Sequence, residues 1–407
     1  MRSALAGIDS RAEPLPPPIT CARRDNRAAP STNGFIRVDY PSKVEFTHGG
    51  VARTAVLLVN LGTPAAAQPG AVRRYLAQFL SDPRVVEIPR WVWLPILHGV
   101  ILRVRPAKSA KKYASIWTDD GSPLLVHSRS QAHLLRGWLG KRGLDVDVAL
   151  AMRYGEPSIE QALDELAQRR VERVLVIPLY PQYSGTTTAS VYDALGAALA
   201  TRRNVPELRW VRHFHDEPAY IEALRRRVLD HWRKFGDMRL EGGKLAMSFH
   251  GVPRRTLLRG DPYHCECHKT ARLLAEALQL RDSDYVVCFQ SRFGRAEWLQ
   301  PYTAPTLAAL ARAGTQRVDV VCPGFVSDCL ETLEEIAQEV RAEFLAAGGK
   351  TFNYIACLND SAPFLDALAD LTQRHLQGWP VMRTETRALE AEAAAGRPRA
   401  LAKGAAR

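Results

Sequence analysis

A chain of 407 residues with 46% hydrophobic and 24% charged residues has the size and balance of a soluble globular protein with one large core or two moderate ones. A formal net charge of +12 and a pI of about 9.5 suit anionic surfaces or substrates, yet the basic residues are scattered. There is no zinc-finger spacing, RNP-like aromatic pattern or Arg-loaded helix, so nucleic acid is not an expected partner.

Residues 1–50 are rich in Pro, Arg and Ala, lack a continuous apolar stretch, and read as a disordered leader rather than a secretory signal. Arg2, Arg11, Arg23, Arg24 and Arg27 give it a transit-peptide flavour that Asp9, Glu13 and Asp25 weaken. The seven cysteines, odd in number and without framework spacing, imply a reducing compartment.

From Thr54 the run TAVLLVNLGTP is continuously apolar until Gly and Pro break it, as in a buried parallel strand leading into a functional loop. KLAMSFHGVP, from Lys244, has the same form. A second strand follows in each half, from Arg173 and from Arg317, each passing through Pro into a polar loop and then a helix. Amphipathic stretches such as SIEQALDELAQRR lie between them. Strands alternating with helices predict an α/β protein of two Rossmann-like, doubly wound lobes, 51–215 and 216–379, with parallel sheets and a cleft between them. Residues 380–407 read as a disordered or helical tail.

The N-terminal half carries an insertion at about 80–126 containing IPRWVWLPILHGVILRVRP. Arg90, His98, Arg103 and internal prolines argue against a membrane span. Trp91, Trp93, Leu94, Ile96 and Leu97, followed by Arg103, Arg105, Lys108, Lys111 and Lys112, fit a hydrophobic lip or an interfacial anchor.

The chemistry-bearing residues cluster at strand ends. His250 closes a strand just before Gly251, where an imidazole would project into the cleft and could take protons near neutral pH. In SDCLETLEEI, a helix would set Asp328, Glu331 and Glu335 at i, i+3 and i+7 on one face. The twelve residues Asp328 to Glu339 hold five carboxylates and no Lys or Arg, which implies compensation by a metal ion or by moving protons. Arg153, Arg292 and Arg295 are candidates to pair substrate carboxylates. In YHCECHK, Cys265 and Cys267 stand one residue apart with no second pair, so a structural zinc is not expected.

NLGTP, SFHGVP, GDPY, QSRFGRAEWLQPYT and PGFVSDCLETLEEI, in this order from about Arg53 to about Trp379, resemble the ferrochelatase family. The resemblance implies two Rossmann-like lobes around a porphyrin cleft and insertion of ferrous iron into protoporphyrin IX, the terminal step of haem synthesis. It implies that His250 and Glu331 are catalytic and that Asp328 and Glu335 join them in passing metal or protons. Arg153, Tyr154, Ser291 and Trp298 match porphyrin-site positions, and Asn60, Gly62 and Pro64 match the family's first loop. The insertion matches the lip through which such enzymes dock on a membrane, with hand-over from the preceding oxidase. A cytoplasmic monomer, peripheral on the inner membrane, is expected, with Fe²⁺ as substrate and no required cofactor. Some members hold a [2Fe–2S] cluster through C-terminal cysteines, but none lies beyond Cys357 here, so none is expected. The alternatives are a coproporphyrin III ferrochelatase, another tetrapyrrole metal chelatase, or a non-catalytic haem carrier.

Overall fold

The computed structural model describes residues 50–294 and 296–405. The leader up to residue 49, Cys21 and Arg295 therefore lie outside the described residues.

Eight strands form two parallel sheets of the same plan. The first comprises β1 (Arg53–Gly62), β2 (Asp147–Tyr154), β3 (Val171–Pro178) and β4 (Glu207–Trp210), in the order β2-β1-β3-β4. The second comprises β5 (Lys244–His250), β6 (Tyr285–Gln290), β7 (Arg317–Val321) and β8 (Thr351–Ile355), in the order β6-β5-β7-β8. In each sheet the chain steps to one side of the first strand and then returns to the other. The loops leaving the first and third strands therefore part, and a crevice opens at their carboxyl ends. Those ends carry NLGTP and PLYPQYSG in one lobe, and SFHG and PGFVSDC in the other.

Strand side chains alternate between two cores, as the period of two requires. Val56 and Leu58 of β1 pack in one continuous core with Leu245, Met247 and Phe249 of β5, through Leu135, Tyr220, Leu274 and Phe364 on helices between the sheets. Ala55, Leu57 and Val59 face the other way, onto Ile159, Leu163 and Leu195. Ala246, Val318 and Val320 do the same against Leu307, Ile336 and Phe344. The lobes thus share a hydrophobic interior rather than meeting across a linker.

The insertion folds as helical segments Arg90–Ile96, Leu97–Ile101 and Leu102–Ala114, the middle one π-wound, packed on the helix Pro69–Ser81. This corrects part of the lip reading. Trp93 and Leu97 are core residues, and the Trp93 indole donates to the Leu80 carbonyl at 2.6 Å. The exposed apolar residues are Ile88, Trp91 (82% exposed), Ile96, Val100 and Val104. Among the described residues no helix is long and apolar enough to cross a membrane. The tail forms a helix, Arg383–Ala402, that buries none of its residues.

Candidate active site

At the end of β5, Ser248 is fully buried and its hydroxyl donates to Gln290 Oε1 at 2.8 Å. The Gln290 amide in turn donates to the Glu331 carbonyl at 2.8 Å, which fixes the start of the acidic helix against β5 and β6. His250 is the last residue of β5, paired with Gln290 of β6. Its Nδ1 lies 2.6 Å from the Gly251 carbonyl oxygen. A carbonyl only accepts, so Nδ1 carries the proton and Nε2 keeps its lone pair. Trp298 and Phe325 flank the imidazole, with ring centroids 6.5 and 6.4 Å away. A Cβ on Gly251 would lie 2.7 Å from the Gln290 carbonyl and 3.2 Å from the Trp298 ring, so glycine lets the indole and β6 close on the turn.

The acidic stretch departs from the single face expected of it. A π-wound segment runs from Glu331 to Val340 and continues as the α-helix Arg341–Ala346. Asp328 precedes it, in the loop after β7, and is buried. Its carboxylate accepts from Asn359 Nδ2 (2.7 Å), the Cys357 amide (3.2 Å), the Thr332 hydroxyl (3.3 Å) and the Tyr354 hydroxyl. Three of these donors meet Oδ1 and one meets Oδ2, so they tie Asp328 into the loop, ahead of the π-wound segment that carries Glu331 and Glu335. The missing counter-charge also has an ordinary source for two members. Lys112, from the lip, reaches Glu334 at 3.0 Å and Glu339 at 2.6 Å. Of the five carboxylates, three are paired by no described cation: Asp328, which neutral donors hold, and Glu331 and Glu335.

Glu335 is held by Ser291, whose amide and hydroxyl both donate to it, at 2.6 and 2.5 Å. Burial pushes its pKa up, and the Glu331 charge adds to this, while Ser291 and His250 oppose it. Glu331 faces the lip. Burial pushes the Tyr75 and Tyr113 hydroxyls well up, and the Glu331 charge raises both further. Arg105 lies close as well, half-buried with its guanidinium 4.8 Å from the Phe293 ring centroid; burial lowers its pKa, against the raising effect of Tyr113 and Glu331. An imidazole free at Nε2 beside two carboxylates, one easily protonated, can accept protons in sequence or pass a hard cation between oxygen ligands.

Other expected site residues sit at the strand ends of the N-terminal lobe. Arg153 pairs Asp82 at 2.5 Å and donates to the Ser190 hydroxyl at 2.6 Å, while Tyr154 donates to the same Asp82 oxygen at 2.8 Å. Asp82 is pulled below the usual carboxylate range: burial raises it, but the bonds from Ser190, the Arg84 amide and Tyr154 outweigh that. Arg153 is thus committed within the wall and mainly orients Tyr154. Asn60 is buried, donates to the Ser128 hydroxyl at 3.0 Å and caps the Leu61 amide at 2.8 Å. Gly62 has φ of +107° beside Tyr154, where any Cβ would fall 1.7 Å from the Tyr154 carbonyl oxygen. Pro64 is buried in the same loop. Arg292 stacks over Tyr302, 5.2 Å from the ring centroid. Sequence reasoning missed Asp82, Ser190, Tyr75 and Tyr113. The tyrosines fall on the apolar faces of a lip helix and of the helix beneath it, where they read only as core.

A two-lobed α/β fold with an imidazole at one strand end and unpaired carboxylates on the helical segment that follows the neighbouring strand defines a metal-handling protein of the chelatase class. The chain belongs to the ferrochelatase family, whose model matches residues 53–376. It is 62% identical over 347 residues to the ferrochelatase of Methylibium petroleiphilum, covering 85% of this chain and 94% of that one. It is 60% identical over 345 residues to the ferrochelatase of Janthinobacterium sp. (strain Marseille), covering 85% and 93%. Among solved structures, SirB from Bacillus subtilis with Fe³⁺ aligns over 80% of this chain and 96% of that one, at 12% identity and a TM-score of 0.47. The protein is a lyase that inserts ferrous iron into a porphyrin in haem biosynthesis.

Proposed function

We propose that the porphyrin is protoporphyrin IX and that His250 and Glu331 are its proton acceptors. Metallation must remove two pyrrole N–H protons while the flat macrocycle is bent so that nitrogen lone pairs leave the plane. The strain is drawn from contacts with the ring face and propionates, for which Tyr154, Trp298 and the first loop of Asn60, Gly62 and Pro64 supply the walls. His250 takes a proton at Nε2, and Glu331 and Glu335 relay it outward or deliver the hydrated iron along oxygen ligands that hold it loosely. The observation that carries this reading is the Nδ1 bond to the Gly251 carbonyl, which leaves Nε2 basic. No cofactor enters the scheme.

Substrate choice follows the carboxylates to be met, two in protoporphyrin IX and four in coproporphyrin III. Arg153 is occupied by Asp82 and Arg105 is half-buried beside Glu331, a supply of cations that suits the substrate with fewer propionates. The exposed Ile88, Trp91, Ile96, Val100 and Val104, beside Arg103 and Lys108, support docking on an anionic membrane surface and hand-over of the porphyrin there. An anaerobic assay with Fe²⁺ and each porphyrin separately tests the reading. Faster metallation of protoporphyrin IX is expected; faster metallation of coproporphyrin III overturns the substrate assignment, and tight haem binding without turnover on either overturns the catalytic one.

A further inference from the structure

The motif YHCECHK offers a metal donor, and it is not a cysteine. On the helix Tyr263–Ala277, Cys267 is fully buried in the shared core and Cys265 is exposed, while Glu266 between them turns to a different seam. There its two oxygens meet two imidazoles, His213 Nδ1 at 2.8 Å and His215 Nδ1 at 3.3 Å. The histidine rings stand edge to face with centroids 4.8 Å apart, and the three potential ligand atoms all lie within 4.8 Å of one another.

We propose that His213, His215 and Glu266 bind a divalent first-row transition ion at a second site, built on elements other than those that carry His250, Glu331 and Glu335. Two imidazoles and a carboxylate are an open three-ligand set for such an ion, completed by water. The two N–O separations, one to each oxygen of Glu266, are near the ~3.3 Å edge of a tetrahedron with bonds of about 2.0–2.1 Å, and one carboxylate oxygen is needed as ligand. His215 Nδ1 is the second, independent sign. It is buried with no hydrogen-bond partner, although a carboxylate oxygen stands beside it. A buried imidazole nitrogen left unbonded is costly, and a metal bond removes that cost. The side chain of His213, 37% exposed, gives an ion its way in.

The surroundings orient the donors. The Tyr183 amide donates to Glu266 Oε2 at 2.7 Å, and the Thr270 hydroxyl donates to the His215 carbonyl at 2.8 Å. Arg212 stacks on Tyr183 and stops 3.9 Å from Glu266 Oε1, while Lys269 is held by Asp216 at 2.5 Å. Asp216 itself lies 3.8 Å from His215 Nδ1. Tyr183 belongs to the loop after β3, the histidines to the segment joining the lobes, and Glu266 to the second lobe. An ion here clamps the lobes together at a distance in sequence from the iron-inserting residues.

The test titrates Zn²⁺ alone into the metal-free full chain carrying His250→Ala, so that the proposed catalytic ligand is absent. One saturable Zn²⁺ and a rise in melting temperature are expected. Adding His213→Ala, a surface change that leaves the fold intact, weakens Zn²⁺ by at least about tenfold, and Glu266→Gln, which keeps the acceptor for Tyr183, does likewise. Absence of saturable Zn²⁺ binding, or binding unaltered by both substitutions, overturns the site.

Discussion

Ser291 grips Glu335 through its backbone amide and its hydroxyl together, at 2.6 and 2.5 Å, from a backbone conformation with φ of +65°. A non-glycine residue held in the left-handed region costs stability and persists where the surroundings fix it. Here the turn aims both donors of one residue at one carboxylate, which makes Ser291 the control on the proton affinity of Glu335.

Ser291→Ala removes the hydroxyl bond that lowers the Glu335 pKa, so that pKa climbs further above the ordinary glutamate value. If Glu335 must be ionised to relay protons, the acid limb of kcat/KM moves to higher pH. A pH profile of iron insertion measures this; a limb that stays in place removes Glu335 from the relay.

Glu335→Gln tests the same group through stability. The pKa of Glu335 is raised in the folded protein, so the folded state favours the protonated form. Its stability contribution is full below the unfolded pKa of about 4.3 and is lost as pH rises through the folded value. The neutral amide should therefore raise the melting temperature at pH 7, with the gain vanishing near pH 4, while turnover falls. Equal effects at both pH values would contradict the assignment.

His250→Ala should lower kcat by at least about 100-fold, the low end for a lost general base. Circular dichroism and melting temperature establish that the variant is folded. Near-normal iron insertion by such a protein would sink the role given to Nε2.

The lip separates packing from docking. Trp91→Ser with Val100→Ser and Val104→Ser should abolish sedimentation with anionic liposomes and leave the melting temperature in place, since all three side chains are exposed. Trp93→Ser should instead destabilise the fold by about 3–5 kcal/mol, the usual cost of deleting a buried indole. The reverse pattern would reassign the anchor.

The two sheets were legible because continuous apolar runs ending in Gly or Pro mark buried parallel strands. His250 was legible for the same reason, since a strand end fixes where its side chain must go. The grouping of Asp328 with Glu331 and Glu335 was not. It assumed an α-helix beginning before residue 328, and nothing local signals a π-wound start at Glu331 or the donors that Tyr354, Cys357 and Asn359 bring from a later strand and loop. Lys112 lies 222 residues from Glu334, so an ion pair between them leaves no trace in the spacing of either segment. Trp93 and Trp91 are two residues apart on one helix with opposite fates, which composition could not separate.

Asp328 holds the loop after β7, and any part it takes in handling iron is separable from that anchoring by experiment. Its oxygens are bonded by donors from the segment 354–359 and from Thr332, and they tie the loop after β7 to β8 and to the loop leaving that strand. Asp328→Ala strands the buried Cys357 amide, at about 1–3 kcal/mol, and leaves the half-buried Asn359 side-chain amide without its partner. The expected outcome is a folded protein with a markedly lower melting temperature, in which kcat falls only as far as the loop that carries Phe325 and leads into Glu331 loosens. The KM for Fe²⁺ is the deciding readout. Loss of a structural anchor should leave it within about threefold of the parent at a temperature where the variant is folded. A rise of tenfold or more, with stability corrected for, would restore Asp328 as an iron ligand.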